Sequence, residues 1–600
     1  MKKKIVWLIV SSLMAISLVL ASCAGEEEEE EEVTVPTEEE EVVIPTEEEE
    51  VAPPPVEGNW WDYLGEPQYG GTFTFSGGDV FTWDPYWGWD FSGTAFLYFE
   101  NMACSDWALD REIFDFSSGW IPSEYVMPLL AESWEQVDET TQVFHIRQGV
   151  YWHDKYPANG REMTAYDVAW SLNRLYGCGD GFEQQSPHLM FPFFQIYEKI
   201  YATDKYTLFI EYDEPTPTFD VILGQFHNQI MCPEMVEEYG DLLDWHAACG
   251  TGPFVVEDYI VASSITLTKN QNYWGYDERH PENRLPYVDK LKILVIPEPT
   301  TAYAALRTGK IDRVGGVDWE QAEQLISTNP DLQYTTGTGM QNGLRPRVDL
   351  EPFTDVRVRK AMNMAIDRKL IAQTIRGGYV DGIPVAQMGP AMAQYFTPFE
   401  EWPKELQEEY TYNPERAKEL LAEAGYPNGF KTNVVAAGTP DDILVFKEML
   451  MDIGVDMEIR VMEASTLFSF TNIHHKHDAL AWQDCGSWTM APWPGLSIFT
   501  TGYMYNSGMV ADEVFDDMMV SIMEDEEGNR RTDEEIEERT KACDMYIMSQ
   551  HWMVPSVPSV YFTFWQPWLK GYSGEDTYHW MGTYYARWWI DHDVKKAMGH

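Results

Sequence analysis

Positive charge is scarce in this chain. Lysine and arginine total 41 against 99 aspartates and glutamates, so the formal net charge over 600 residues is −58. A surface that acidic repels phosphate backbones and anionic bilayers, which argues against nucleic-acid binding. Cysteine is also rare, seven in all, and no spacing among them matches a metal motif. After the first 22 residues no apolar run approaches the roughly 20 residues that a membrane-spanning helix needs. Catalytic signatures are missing as well: there is no GxSxG, no HExxH and no EF-hand loop. Gly250-Thr251-Gly252-Pro253 and Thr308-Gly309-Lys310 both lack phosphate-loop spacing and read as structural turns. No cofactor and no resident metal is expected.

What is present begins at the N-terminus. Lys2, Lys3 and Lys4 precede an apolar stretch from Ile5 to Leu20, and Ala21-Ser22 lead into Cys23. This is the pattern of a bacterial lipoprotein signal, with residues 1–22 removed and Cys23 lipidated as the anchor to the membrane; an uncleaved helical anchor is the alternative. Residues 23–58 then form a tether. Sixteen glutamates fall within residues 26–58, and a nine-residue unit occurs twice, VTVPTEEEE at Val33–Glu41 and VVIPTEEEE at Val42–Glu50. Charge repulsion and proline stiffness predict a disordered, extended spacer reaching up to about 100 Å.

From residue 59 to 600 the composition is that of a folded body too long for one core. Thr164-Ala165-Tyr166-Asp167 predicts a capped helix with Val168, Leu172 and Leu175 on one face. Asn413-Pro414 predicts a helix start, with Gly425 at its end, and Asp355 is expected to cap a helix running toward Ile371. Strand-like runs lie at Gly71–Ser76, Thr141–Arg147, Thr207–Tyr212, Ser264–Lys269, Leu291–Ile296, Asn433–Ala437 and Met457–Met462. Helices and strands interspersed along the whole length predict an α/β class. Six cysteines remain after Cys23, enough for three disulfides in an exported chain. Cys232 and Cys249 close the shortest loop and are the favoured pair, and the other pairings stay open.

At Pro128 to Arg174 the chain reads PLLAESWEQVDETTQVFHIRQGVYWHD and then MTAYDVAWSLNRL. Further blocks follow in order: CGTGPF at Cys249–Phe254, NQNYW at Asn270–Trp274, LRTGKID at Leu306–Asp312, PFTDVRVRKAMNMAIDR at Pro352–Arg368, YNPERAKELLAEAG at Tyr412–Gly425 and VYFTFWQPWLKGYSGED at Val560–Asp576. Together they resemble the family 5 extracytoplasmic solute-binding proteins of ABC importers, the oligopeptide, dipeptide and nickel binders, over about residues 66–592. The resemblance implies a two-lobed, periplasmic-binding-protein-like α/β fold with a hinge and an extra third domain. Domain I would use about 59–100, 216–315 and 556–600, domain II about 101–215 and domain III about 316–555. It further implies a monomer that works outside the cytoplasm, captures a peptide or similar small solute and passes it to the transmembrane subunits of an ABC permease.

Several residues are candidates for the ligand site. Trp482-Gln483-Asp484-Cys485-Gly486-Ser487-Trp488 resembles the segment in which peptide-binding relatives carry a tryptophan and, shortly after, an aspartate for the peptide ammonium. Asp484 is the expected partner, since a partly desolvated carboxylate pairs well with an amine. The family's Trp-to-Asp spacing is one residue longer, and Trp493-Pro494 stands where the family has Asp-Pro. Trp482 and Trp488 are expected to line the site, and Tyr561 with them. Arg345 and Arg347 lie where relatives have a cleft-edge asparagine, and either guanidinium would suit a carboxylate. Trp83, Trp87, Trp89, Trp488 and Trp493 fall in Gly/Pro-rich segments, where exposed indoles would stack on sugar faces or cations. These keep an oligosaccharide receptor open as an alternative, and a secreted glycan hydrolase as an alternative of another class. His474-His475-Lys476-His477 is expected to be a solvated loop rather than a metal site.

Overall fold

The computed structural model of the chain describes residues 59–86, 94–116, 122–183, 197–213, 228–486, 492–523, 525, 531–575 and 583–600. Residues Trp60–His600 form one body. Cys23, the tether, Trp87, Trp89 and Trp488 lie outside the described residues.

Three sheets organise the body. The largest has seven strands in the order Gln333–Thr338, Val560–Trp565, Arg313–Val317, Thr72–Gly77, Lys290–Val295, Ser264–Lys269 and Phe254–Ile260. Thr72–Gly77 runs parallel to both its neighbours, and the outer pairings are antiparallel. A four-stranded antiparallel sheet is built from Ala131–Asp138, Thr141–Ile146, Thr207–Tyr212 and Tyr197–Asp204. The third sheet has five strands, ordered Val455–Met462, Phe430–Ala437, Leu480–Asp484, Asn342–Pro346 and Val554–Pro555. Its first three strands are parallel to one another and the last two pairings are antiparallel.

Two short segments join the seven-stranded sheet to the five-stranded one, residues 339–341 outward and 556–559 on the return. They bond to each other and to the sheet they enter: Gly339 N–H donates to Ser559 O (2.9 Å) and Ser556 N–H to Asn342 O (2.9 Å). Such a paired crossing is the geometry of a hinge, because a few residues carry any rotation between the sheets.

Local sequence explains most helices. Thr164 and Asp167 form the expected capping box, and Val168, Leu172 and Leu175 are fully buried. Asn413 caps Pro414–Glu423 by accepting from the Arg416 N–H. The helix expected from Asp355 to Ile371 is two helices, Val356–Met364 and Arg368–Ile375, because Asp367 caps a second start by accepting from the Leu370 N–H. The GTGPF turn is tight for a steric reason. A Cβ on Gly250 would lie 1.7 Å from the Tyr98 carbonyl oxygen, so only glycine fits there.

The tryptophan expectation needs correction at two positions. Trp83 is 2% exposed and packs edge-on to Tyr259, and Trp493 is buried against Tyr395. Chain segments rich in glycine and proline still close over these rings, because indoles bury more apolar area than any other side chain. The histidine run is also not uniformly solvated. His477 is buried, and its carbonyl, like that of His475, accepts from Arg347. Among the described residues no group of His, Cys, Asp or Glu is arranged to hold a metal ion.

Candidate functional site

The five-stranded sheet contains a topological switch point. Phe430–Ala437 lies between the two strands that follow it in sequence, so the chain turns first to one side of it and then to the other. Its alternate residues therefore meet helices on opposite faces. Val434 and Ala436 pack with Phe446 of helix Asp441–Asp452, whereas Val435 packs with Leu467 of helix Ala464–Phe468. Crevices outside the carboxyl ends of parallel strands at such a point are natural ligand sites.

A cavity of about 420 Å³ lies at the carboxyl end of strand Leu480–Asp484, beside helix Ala464–Phe468. Asp484, the last residue of its strand, and Arg345 supply the charged groups. Asn342, Asn472 and Gln483 supply amides, and Leu467, Phe468, Ile498 and Tyr505 form most of the apolar wall. The volume and the mixture of apolar walls with a few convergent polar groups suit a small-solute site.

The polar groups are held in place by the fold. Strand pairing sets Asn342 opposite Asp484 and Arg345 opposite Ala481. The Arg345 Nε–H donates to the Asp484 carbonyl oxygen (2.8 Å), and its guanidinium lies 5.2 Å from the Phe499 ring centre. Past the strand end, Cys485 N–H donates to Gln341 O (2.8 Å), tying the site to the first crossing segment. Gln483 is fixed at both ends of its amide, donating to Thr471 Oγ1 (2.9 Å) and accepting from the Ser507 hydroxyl (2.6 Å). Thr471 belongs to a single π-helical turn, Ser469–Ile473, that continues helix Ala464–Phe468 along the cavity wall.

Asp484 is the unusual group. Its carboxylate side chain is exposed to solvent and lines the cavity. Among the described residues no donor reaches that carboxylate within hydrogen-bonding distance. Desolvation by the protein packed around it raises its pKa above the ordinary carboxylate range, and the positive charge of Arg345 opposes the rise. An accessible carboxylate at a cavity wall, without a protein donor, is a natural partner for a cationic group.

The remaining candidates are distributed differently. Trp482 faces away from this cavity. It packs edge-on to Phe446 (5.1 Å, 89°) and lines a second cavity of about 430 Å³ on the opposite face. Among the described residues its one cation is engaged there, since Arg376 pairs with Asp442 (2.6 and 2.9 Å) and Asp442 also accepts from Ser556 (2.8 Å), while Asp318, Glu320 and Asp441 leave the lining acidic. Arg347 is not brought to the cavity. Its guanidinium donates to both Asp349 oxygens (2.7 Å each) and to the carbonyls of His475 and His477 (2.7 and 2.9 Å). Tyr561 lies over the strand end beside the crossing, where a Cβ on Gly337 would meet its ring at 2.5 Å. Trp83 belongs to the main core. Sequence reasoning missed Phe468, Ile498 and Tyr505. They come from separate elements, and no spacing rule links them.

Comparison with known proteins adds the lineage. Heme-binding protein A of Haemophilus influenzae is 30% identical over 350 residues, covering 55% of this chain and 60% of the relative. The glutathione-binding protein GsiB of Salmonella typhimurium is 28% identical over 348 residues, covering 56% of this chain and 62% of the relative. The match thus spans about three-fifths of these relatives' length. Among solved structures, the periplasmic binding protein DppA of Helicobacter pylori in complex with the peptide STSA superposes with a TM-score of 0.69 at 23% identity, covering 87% of this chain and 99% of that one. OppA of Haemophilus influenzae in complex with RPPGFSPFR gives 0.65 at 20% identity, covering 88% and 100%. These structures share the α/β fold of large peptide-binding proteins over most of the chain. Residues 125–506 match the model of the bacterial extracellular solute-binding proteins, family 5, and the chain belongs to that family.

Proposed function

We propose that this protein is the capture receptor of an ABC importer for peptides or similar small solutes that carry a free amine. The observation that carries the reading is Asp484, an accessible carboxylate without a protein donor that lines a cavity at the carboxyl end of its strand. The solute's ammonium would pair with that carboxylate, the apolar wall of Leu467, Phe468, Ile498 and Tyr505 would take its side chain, and the amides would bond its backbone. Arg345 beside Asp484 suits a ligand carboxylate near the amine, as in the γ-glutamyl end of glutathione. Binding makes and breaks no bond.

The rest of the reading follows from the same role. The three sheets support a division into domain I (about 59–100, 216–315 and 556–600), domain II (about 101–215) and domain III (about 316–555), with closure about the paired crossing. Cys23 would carry the lipid, residues 23–58 would hold a monomeric receptor clear of the bilayer, and the closed complex would be handed to the permease. Among the described residues, Trp83 and Trp493 are buried and offer no stacking face to a sugar, which weighs against the oligosaccharide reading.

Native mass spectrometry of the purified protein, followed by denaturation, identifies any co-purified ligand. Calorimetry with short peptides, N-acetylated peptides, glutathione, heme and oligosaccharides completes the test. Saturable binding of free-amine ligands, recovered unchanged, is the expected result. Binding confined to heme or sugars, or conversion of ligand to product, overturns the proposal.

A further inference from the structure

We infer that Trp319 is a latch across the hinge, holding the seven-stranded and five-stranded sheets at a set angle until a ligand draws them together. Trp319 opens helix Trp319–Thr328, which packs on the seven-stranded sheet. Ala322 and Leu325 of that helix share a core with Phe562 and Phe564, and the Trp319 side chain lies against it. The indole N–H points elsewhere. It donates to the Ile375 carbonyl oxygen (3.0 Å), and Ile375 ends helix Arg368–Ile375 and packs against the separate core of the five-stranded sheet. The last carbonyls of a helix have no partner within it. Here the missing donor comes from the other side of the hinge.

A steric contact reinforces the bond. Gly377, two residues further on, has φ +61, and a Cβ there would come within 2.5 Å of the Trp319 ring. The indole therefore rests on bare backbone. The same loop braces the crossing and reaches the sheet beyond it. The Arg376 Nε–H donates to the Pro558 carbonyl oxygen (3.0 Å), and the Tyr379 ring stands edge-on to Phe562 at 5.0 Å. Trp319, Ile375 and Arg376 line the cavity of about 430 Å³ together with Ser559 and Val560, which places that cavity between the two sheets beside the return crossing.

These contacts limit rotation about the crossing in both senses. Rotation that narrows the cavity drives the indole into the Gly377 backbone, where packed atoms leave no room. Rotation that widens it breaks the Trp319–Ile375 hydrogen bond and leaves a helix-end carbonyl without its donor. The Asp484 cavity lies on the other face of the five-stranded sheet, so closure over it is the widening rotation. The latch thus favours the open arrangement, and a receptor whose closed state is a minor one binds with its affinity reduced by that fraction. The effect on affinity rests on the ligand site proposed above; the latch itself does not.

Hydrogen exchange on the full chain without ligand tests the latch. Trp319→Phe keeps a ring and removes the donor, and Gly377→Ala wedges the ring away. Gly378→Ala is the control, because Gly378 has φ +80 and nothing within 4 Å of an added Cβ, so it carries the backbone strain alone. The amides of the crossing segments, Gly339 and Ser556 among them, should exchange roughly 2- to 10-fold faster in Trp319→Phe and in Gly377→Ala, the scale of one lost hydrogen bond. Gly378→Ala should match wild type there. Acceleration confined to residues 374–380 would mark a local helix cap, acceleration spread evenly over the body would mark lost stability, and either overturns the inference. If Gly377→Ala does not fold, Trp319→Phe decides alone. Calorimetry with trialanine reads the effect on affinity. Binding to Trp319→Phe should be several-fold tighter than to wild type, and equal or weaker binding overturns the claim that the latch opposes closure. Trialanine binding to neither protein counts against the ligand reading and leaves hydrogen exchange to decide the latch.

Discussion

Arg345 donates from Nε to the carbonyl oxygen of Asp484 at 2.8 Å, so the cation anchors the main chain of the residue whose carboxylate it leaves free. A side-chain pair would have neutralised the site. This arrangement instead fixes the strand end and keeps one anion available to a ligand, with the neighbouring positive charge favouring its ionised form.

Asp484→Asn removes the charge and keeps the shape. A charge-assisted bond contributes about 1.5–3 kcal/mol, so affinity for free-amine ligands should fall roughly 10- to 100-fold, while N-acetylated analogues should lose little. The ionised carboxylate is the binding form and its pKa is raised. Wild-type affinity should therefore weaken as pH falls through that raised pKa, and the asparagine variant should be flat there. Calorimetric titration across pH checks both, and equal losses for both ligand classes would remove Asp484 from the site.

Arg347→Ala should show the opposite profile. The substitution strips two partly buried carbonyls and Asp349 of their donor. Breaking such a pair costs about 3 kcal/mol. The Tm should drop by several degrees while affinity changes less than about threefold. A large affinity loss at unchanged Tm would place Arg347 in the ligand site after all.

How much of this was legible in the sequence depends on the range of the interactions involved. The Thr164 and Asn413 caps are local, and they appear where the residues predict them. The α/β class follows from the alternation of periodic runs, and the ordered family blocks identify the two-lobed fold. One helix was expected from Asp355 toward Ile371, but Asp367 caps a second start within that span, so there are two. The cavity was legible only at Asp484 and Arg345, through the resemblance of their segments to ligand-site segments of relatives. Phe468, Ile498 and Tyr505 join them through tertiary packing that no local rule encodes. Trp482 and Asp484 are two residues apart on a strand and would be expected to share a face. The strand ends at Asp484, however, and only Asp484 turns into the cavity.

Gly343→Ala tests the sheet that carries the site. A Cβ there would lie 2.2 Å from the Val554 carbonyl oxygen and 2.8 Å from the Pro555 Cα, both of them backbone atoms that cannot swing away. The pairing of Asn342–Pro346 with Val554–Pro555 must open to admit the methyl. Overpacking of this kind costs about 1–3 kcal/mol or more. The variant should lose stability and also weaken ligand binding, since Asn342 and Arg345 ride on the displaced strand. Wild-type Tm in the purified variant would show that the sheet yields more easily than the geometry indicates.

Asp544 gives a pH prediction independent of ligand. It is fully buried in helix Asp533–Gln550, accepts from the backbone N–H groups of Gln387 (2.9 Å) and Met388 (3.1 Å), and burial pushes its carboxyl up to about 7. In the unfolded chain an aspartate titrates near about 3.9. Between those values the folded state holds the proton more tightly, so this group's stabilising contribution is complete below about pH 4 and is lost as pH rises through about 7. Three pKa units correspond to about 4 kcal/mol at most. Glu100, pushed up to about 7 by burial, acts in the same sense, while His153 and His477, pushed down to about 4, act oppositely. The whole-protein curve mixes these terms, and a variant isolates one of them. The stability of Asp544→Asn relative to wild type should therefore rise steadily from pH 4 to pH 8, whatever constant offset the amide introduces. Denaturant titrations at five or six pH values measure that difference, and a difference independent of pH would mean that Asp544 is ionised in the folded protein throughout.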